Sequence, residues 1–168
     1  MTSPDEKATV SDGTRERIES DPFCALLGVE VLSLEPGRAT TRLVLRDEHA
    51  NFHGTPHGGA VYTLADAAFA AASNAGDATR VALETNVSYL GASSVGETLV
   101  AVASETHATR RTAEYGVVVR RRNDTGNEGS GNGNGSDRAN ASDGDEANDG
   151  DETTGERIAT FRGRAYRV

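Results

Sequence analysis

Along most of the chain, hydrophobic and polar residues alternate with a period of two, and the period changes once. Leu26–Glu35 (LLGVEVLSLE) alternates into Pro36-Gly37, and Arg38–Arg46 (RATTRLVLR) alternates again, which predicts a hairpin. Ala50–Gly59 (ANFHGTPHGG) is turn chemistry. Ala60–Ala75 (AVYTLADAAFAAASNA) is a helical run, with Gly76 expected as its stop. Arg80–Leu90, Glu97–His107 (opened by Gly96), Arg111–Arg122 and Arg157–Val168 read as strands. The order is two strands, one helix, four strands. One helix cannot supply the crossovers that parallel strands need, so the sheet is expected to be antiparallel and the class α+β. The helix carries Tyr62, Thr63, Asp66, Ser73 and Asn74 as its polar residues, and alanine covers most of the remainder. A helix apolar nearly all round is a buried helix, so the sheet has to wrap around it.

Composition changes this picture at two places. The chain has 168 residues, of which only 36% are hydrophobic, too polar for one compact domain of the full length. The acidity is local. Residues 1–22 hold six acids and three bases, and residues 123–155 hold nine acids, eight glycines and a single arginine. The second segment lacks the apolar surface to offset its ordering entropy and is expected to be a disordered acidic insert between the last two strands. Residues 1–22 are expected to be a flexible N-terminal segment, leaving 23–168 as a single domain that contains the insert. The remaining foldable part is mildly basic. It forms a thin core, which association with another copy would help.

Several classes are thereby excluded. No run of eighteen apolar residues exists and the N-terminus lacks an apolar leader core, so no membrane contact and a cytoplasmic location are expected. Cys24 is the one cysteine and has no partner for a disulfide or a zinc cluster. Arg120-Arg121-Arg122 is the one basic run; it reads as a solvated strand end, with no interleaved aromatics to suggest nucleic acid. Lys7 is the only lysine against sixteen arginines, a usage found in high-salt cytoplasms and also produced by GC-rich coding.

Asp66 is the unusual residue. A carboxylate in a buried alanine helix is costly without partners, and no Lys or Arg lies within a turn of it. On the residues alone, a structural acid bonded to Thr63, Ser73 or a backbone donor and a functional acid are equally good readings. The segment His57-Gly58-Gly59 leads into the helix after Pro56 and leaves backbone N–H groups open at the positive end of the dipole, where a developing oxyanion could sit. Asp66 lies about 12 Å further along the axis. The two could therefore share a substrate only across a two-fold interface between copies. His53 and His57 are spaced i,i+4, but Pro56 between them opposes a helix and no further ligand pattern appears, so no metal is expected. His49 and His107 show no evident partners.

The run from Asn51 through His57-Gly58-Gly59 to Leu64-Ala65-Asp66-Ala67-Ala68-Phe69-Ala70 resembles the hotdog-fold acyl-CoA thioesterases, in the phenylacetate-degradation (PaaI-like) branch. The likeness continues in Leu27-Gly28-Val29, Asn86–Leu90, Gly96–Leu99, Arg111–Tyr115 and Phe161–Tyr166. It implies a long helix wrapped by an antiparallel sheet, and homodimers or homotetramers with active sites at the dimer interface. It implies a CoA thioester as substrate and no cofactor. The resemblance makes Asp66 the general base or nucleophile and the Gly58 amide of the other subunit the group that polarises the thioester carbonyl. Asn51 would help position the reacting groups and His57 would support the loop. Gly59, Tyr62, Ala82 and Glu84 fall on the substrate side, and Arg110, Arg111 and Arg164 where relatives hold the nucleotide end of CoA. Two positions depart from the pattern: Ala82 stands where some relatives carry a serine, and Gly91-Ala92 replaces a proline. The alternatives on the same fold are a non-catalytic acyl-CoA-binding protein and, ranked last, a dehydratase or hydratase.

Overall fold

The computed structural model describes residues 9–122 and 154–168; the expected acidic insert lies almost entirely outside them. Three α-helices and six strands follow in chain order: α1 (Asp12–Glu19), α2 (Pro22–Leu27), β1 (Glu30–Glu35), β2 (Arg38–Val44), α3 (Gly58–Asn74), β3 (Arg80–Tyr89), β4 (Thr98–Ala108), β5 (Thr112–Arg121) and β6 (Arg157–Arg167). A short 3-10 turn, Asp47–His49, precedes α3. The sheet is antiparallel throughout, in the order β1-β2-β4-β5-β6-β3. It wraps α3, which lies against every strand. The expected α+β architecture of one long helix within one antiparallel sheet is the observed one.

The core is the inner face of the sheet closing on α3. Alternate residues of β4 and β5, Leu99, Ala101 and Ala103 with Tyr115, Val117 and Val119, are buried against it. Phe69 stands at the centre, 5.5 Å from the Tyr115 ring in an edge-on arrangement. Small residues let the sheet close this tightly. A Cβ on Gly163 of β6 would stand 2.8 Å from ring carbons of Phe69.

Three expectations about local structure are corrected. The strand expected over Leu26–Glu35 begins only at Glu30, because Pro22–Leu27 is helical. Asp21 caps that helix by accepting from the Phe23 and Cys24 amides at 2.9 Å. Pro22 sits in its first turn, and Gly28 ends it in the left-handed region at φ 76°. The N-terminal segment expected to be flexible carries α1, capped by Ser11 and tied to β1 where Arg15 donates to the Leu34 carbonyl. The end of α3 is the third correction. Gly76 is not among the glycines with positive φ. Asn74 ends the helix instead, accepting from the Arg80 amide at 2.9 Å and donating to the Arg80 carbonyl at 3.1 Å.

Candidate active site

The loop into α3 is held by residues in the turn-rich segment. His49 is buried; its Nδ1 accepts from the Arg46 amide, and its carbonyl accepts from the His57 amide at 2.7 Å. The histidine expected to lack partners therefore pins both ends of the loop. Asn51 folds the segment between as an Asx turn, its Oδ1 accepting from the His53 amide at 2.8 Å and its Nδ2 donating to Thr55 Oγ1 at 3.0 Å. His57 is the N-cap of α3, its Nδ1 accepting from the Gly59 amide at 2.8 Å. That leaves the Gly58 N–H: it donates to no group among the described residues. A free amide at the first position of a 17-residue helix is a site for developing negative charge. Tyr89 closes over it, donating to the Gly58 carbonyl at 2.9 Å.

Asp66 lies on the face of α3 turned away from the sheet, with Thr63, Ala67, Ala70 and Asn74. The helix is thus not buried all round, and Ala70 is exposed. Asp66 lines a cavity of about 350 Å³ between α3 and the α1–α2 segment, together with Ile18, Phe23, Cys24, Val31 and Thr63. Burial pushes its carboxyl above the usual carboxylate range. Among the described residues no hydrogen bond or ion pair reaches its side chain, so Thr63 and Ser73 are not its partners; Ser73 donates to the Ala70 carbonyl. A desolvated carboxylate without compensation is a reactive base. The neighbouring Cys24 thiol is pushed up to about 11, first by burial and then by Asp21 and Asp66.

The remaining residues singled out from sequence divide into three groups. Tyr62 belongs to the core: its hydroxyl bonds Thr85 Oγ1 and its ring packs edge-on to Phe161 at 5.5 Å. Gly59 is exposed beside Gly58, and Ala82 and Glu84 are exposed on β3. Arg110 and Arg111 are exposed on the β4–β5 turn. Arg164 already lies between carboxylates, 3.3 Å from Glu114 and 3.9 Å from Glu84. Sequence reasoning missed the cavity wall, Ile18, Phe23 and Val31. The signal for α2 was present in Asp21-Pro22 followed by Gly28, a cap, a first-turn proline and a left-handed stop. Among the described residues, no helix is long and apolar enough to cross a membrane, and no group of three or more His, Cys, Asp or Glu is placed to hold a metal.

Comparison with known proteins agrees with this fold. The sequence profile described as Thioesterase superfamily matches residues 53–127. A Deinococcus radiodurans protein named as an esterase is 41% identical over 103 residues, 61% of this chain and 70% of its own length. The acyl-coenzyme A thioesterase PaaI of Escherichia coli is 31% identical over 101 residues, 60% of this chain and 72% of its own. Among solved structures, a mutant of the phenylacetic acid degradation protein PaaI from Thermus thermophilus superposes with a TM-score of 0.67 at 33% identity, covering 88% of this chain and 100% of that one.

Proposed function

Because the chain belongs to the thioesterase superfamily, in its PaaI-like hotdog branch, we propose that it hydrolyses an acyl-CoA or aryl-CoA thioester at a site shared by two copies. One observation carries this reading: the half-buried Asp66 carboxylate has no partner among the described residues and opens onto a cavity. The unused Gly58 N–H heads the same helix about 12 Å away. One chain cannot bring both to a single carbonyl; a two-fold pair supplies Asp66 from one copy and Gly58 from the other.

The surface supports that pairing. β3 is an edge strand whose Val81 and Leu83 are 46% and 56% exposed, and Phe52, on the loop before α3, is 92% exposed. An uncovered apolar edge is a template for another strand. Antiparallel pairing of β3 with its own copy would extend the sheet and cover these side chains.

In the proposed reaction, the Asp66 carboxylate takes a proton from water as the oxygen attacks the thioester carbon. The carbonyl oxygen becomes an oxyanion facing the Gly58 N–H of the second copy. The oxyanion collapses, the C–S bond breaks, and the thiolate of CoA takes the proton back from Asp66. Direct attack by the carboxylate through an anhydride is the variant route, which single-turnover incorporation of labelled oxygen into Asp66 identifies. His57 and Asn51 hold the loop that presents the amide. The walls formed by Ile18 and Phe23 suit an apolar acyl or aryl group. Arg110 and Arg111 are the arginines assigned to the nucleotide end of CoA. Arg164 is the weaker candidate there because two glutamates already neutralise it. The single Cys24 thiol suits a reducing compartment, so the reaction is assigned to the cytoplasm.

Release of free thiol from a panel of CoA thioesters tests the reading. Turnover by the native chain and its loss in Asp66→Asn are expected. Binding without thiol release would make the chain an acyl-CoA-binding protein instead.

A further inference from the structure

The proposed reaction leaves one group beside its base unused. Thr63 stands one turn before Asp66 on the same face of α3, and both line the cavity of about 350 Å³ between that helix and the α1–α2 segment. A helical threonine commonly turns its hydroxyl back onto a carbonyl of the preceding turn. This one does not: among the described residues the Thr63 hydroxyl makes no hydrogen bond, and neither does the Asp66 carboxylate. Neither oxygen is sealed in the interior. Two half-buried, unpartnered oxygens, neighbours on one helix face, therefore open onto one space.

The spacing fits a single water. Residues three apart on a helix surface carry Cβ atoms about 5–6 Å apart, and an O–H···O bond spans about 2.5–3.0 Å. The two side chains do not bond each other, and a water between them can donate one hydrogen to each. Asp66 accepts as a carboxylate and Thr63 through a hydroxyl lone pair. Both hydrogens of the water are then held, and its lone pairs are left for the thioester carbon. The other polar groups lining the cavity do not compete for this role. Asp21 Oδ1 is occupied by the Phe23 and Cys24 amides, and the Asn74 amide by Arg80. Arg17 is exposed on α1, and Thr79 is exposed beyond the end of α3.

We infer that Thr63 is the second holder of the attacking water, which makes Asp66 a general base rather than a nucleophile. The inference rests on the thioesterase reading and decides between its two routes. The water oxygen bonds to the thioester carbon as Asp66 takes one of its hydrogens. The other hydrogen stays on that oxygen, bonded to Thr63, and leaves with the product acid. The proton on Asp66 passes to the CoA thiolate when the C–S bond breaks. Thr63 neither gains nor loses a proton; it contributes by orienting the water.

Steady-state thiol release by the full chain, with the CoA thioester it turns over fastest, tests this. Thr63→Val is expected to lower kcat about tenfold or more with KM within about twofold, and Thr63→Ser to recover most of that loss. Thr63→Ala repeats the test should valine unsettle the helix. On an Asp66→Asn background, Thr63→Val should cost less than about threefold more, because groups that act as a unit are not additive. Native turnover in both the valine and alanine variants, a loss confined to KM, or equal losses in the serine and valine variants would overturn the assignment. So would full additivity with Asp66→Asn, or labelled oxygen in Asp66 after a single turnover. No thiol from the native chain would instead sink the thioesterase reading, and the Thr63 assignment with it.

Discussion

Tyr89 roofs Gly58: its hydroxyl donates to the Gly58 carbonyl at 2.9 Å, and a Cβ on Gly58 would stand 3.2 Å from the tyrosine's Cζ and hydroxyl oxygen. The last residue of β3 thereby fixes the first residue of α3, so the sheet edge and the proposed oxyanion donor move together. Tyr89→Phe removes a half-exposed hydrogen bond of about 0.5–1.5 kcal/mol at most, and a few-fold fall in kcat with little change in KM is expected. Gly58→Ala must displace the ring and is expected to cost more. Steady-state thiol release from both variants checks the order; equal rates in Gly58→Ala and the native chain would remove Gly58 from the reaction.

Asp66→Asn is expected to lower kcat by about 10²–10⁴-fold, the usual scale for losing a general base. Dimerisation and binding of CoA should persist, because the amide has the same shape and the residue bonds nothing else among the described residues. Gel filtration and CoA titration alongside the rate measurement separate loss of chemistry from loss of structure.

Burial raises the Asp66 carboxyl above its ordinary value of 3.8, and this has two consequences with pH. The base works only when ionised, so kcat/KM should fall on the acid side at a pH above the usual carboxylate range. Between the unfolded value, about 3.9, and the raised folded value, the native chain holds more protons than the unfolded one. The native chain therefore loses stability as pH rises through that window, and the loss is complete above it. Asp66→Asn should accordingly melt higher than the native chain at pH 7, with the difference shrinking towards pH 4. A lower melting temperature at pH 7 would mean that the carboxylate has a stabilising partner.

Gly163→Ala is expected to destabilise the fold by about 1–3 kcal/mol, the range for overpacking a filled core. The new methyl would enter the space of Phe69, which is 2% exposed and cannot swing outwards. Urea unfolding measures the shift, and a compensating Phe69→Leu should recover part of it.

Cys24, with its thiol pushed up to about 11, is protonated at pH 8 and should react slowly with disulfide reagents. Labelling should become faster only above pH 10 or on unfolding. Since the thiol lines the cavity at Asp66, its alkylation in the folded protein should block turnover.

The candidate site was legible in part. Alternation and the alanine run marked the six strands and α3 to within a few residues, because both depend on local periodicity. Asp66 and Gly58 stood out because a carboxylate in an alanine helix and a Gly-Gly helix start are local anomalies. The cavity was not legible. Its walls come from α1 and α2, in a stretch whose polarity read as flexible and whose Leu26-Leu27 ran on into the alternation of β1. The resemblance puts Tyr62 and Arg164 on the substrate side, and the partners they have in the fold, Thr85 and Phe161 for one and Glu84 and Glu114 for the other, lie far away in the chain and could not be read from it.

Local pattern was enough to specify which segments are strands and which is the central helix, since side-chain period follows directly from backbone geometry. It was also enough to require that one helix serve a whole antiparallel sheet. Folding in three dimensions set the rest: β3 returns beside β6 as an open edge, Asp66 faces a cavity roofed by α1 and α2, and Tyr89 closes on Gly58. These are contacts between residues far apart in the chain. They are selected by the packing of every element at once, and no local pattern encodes them.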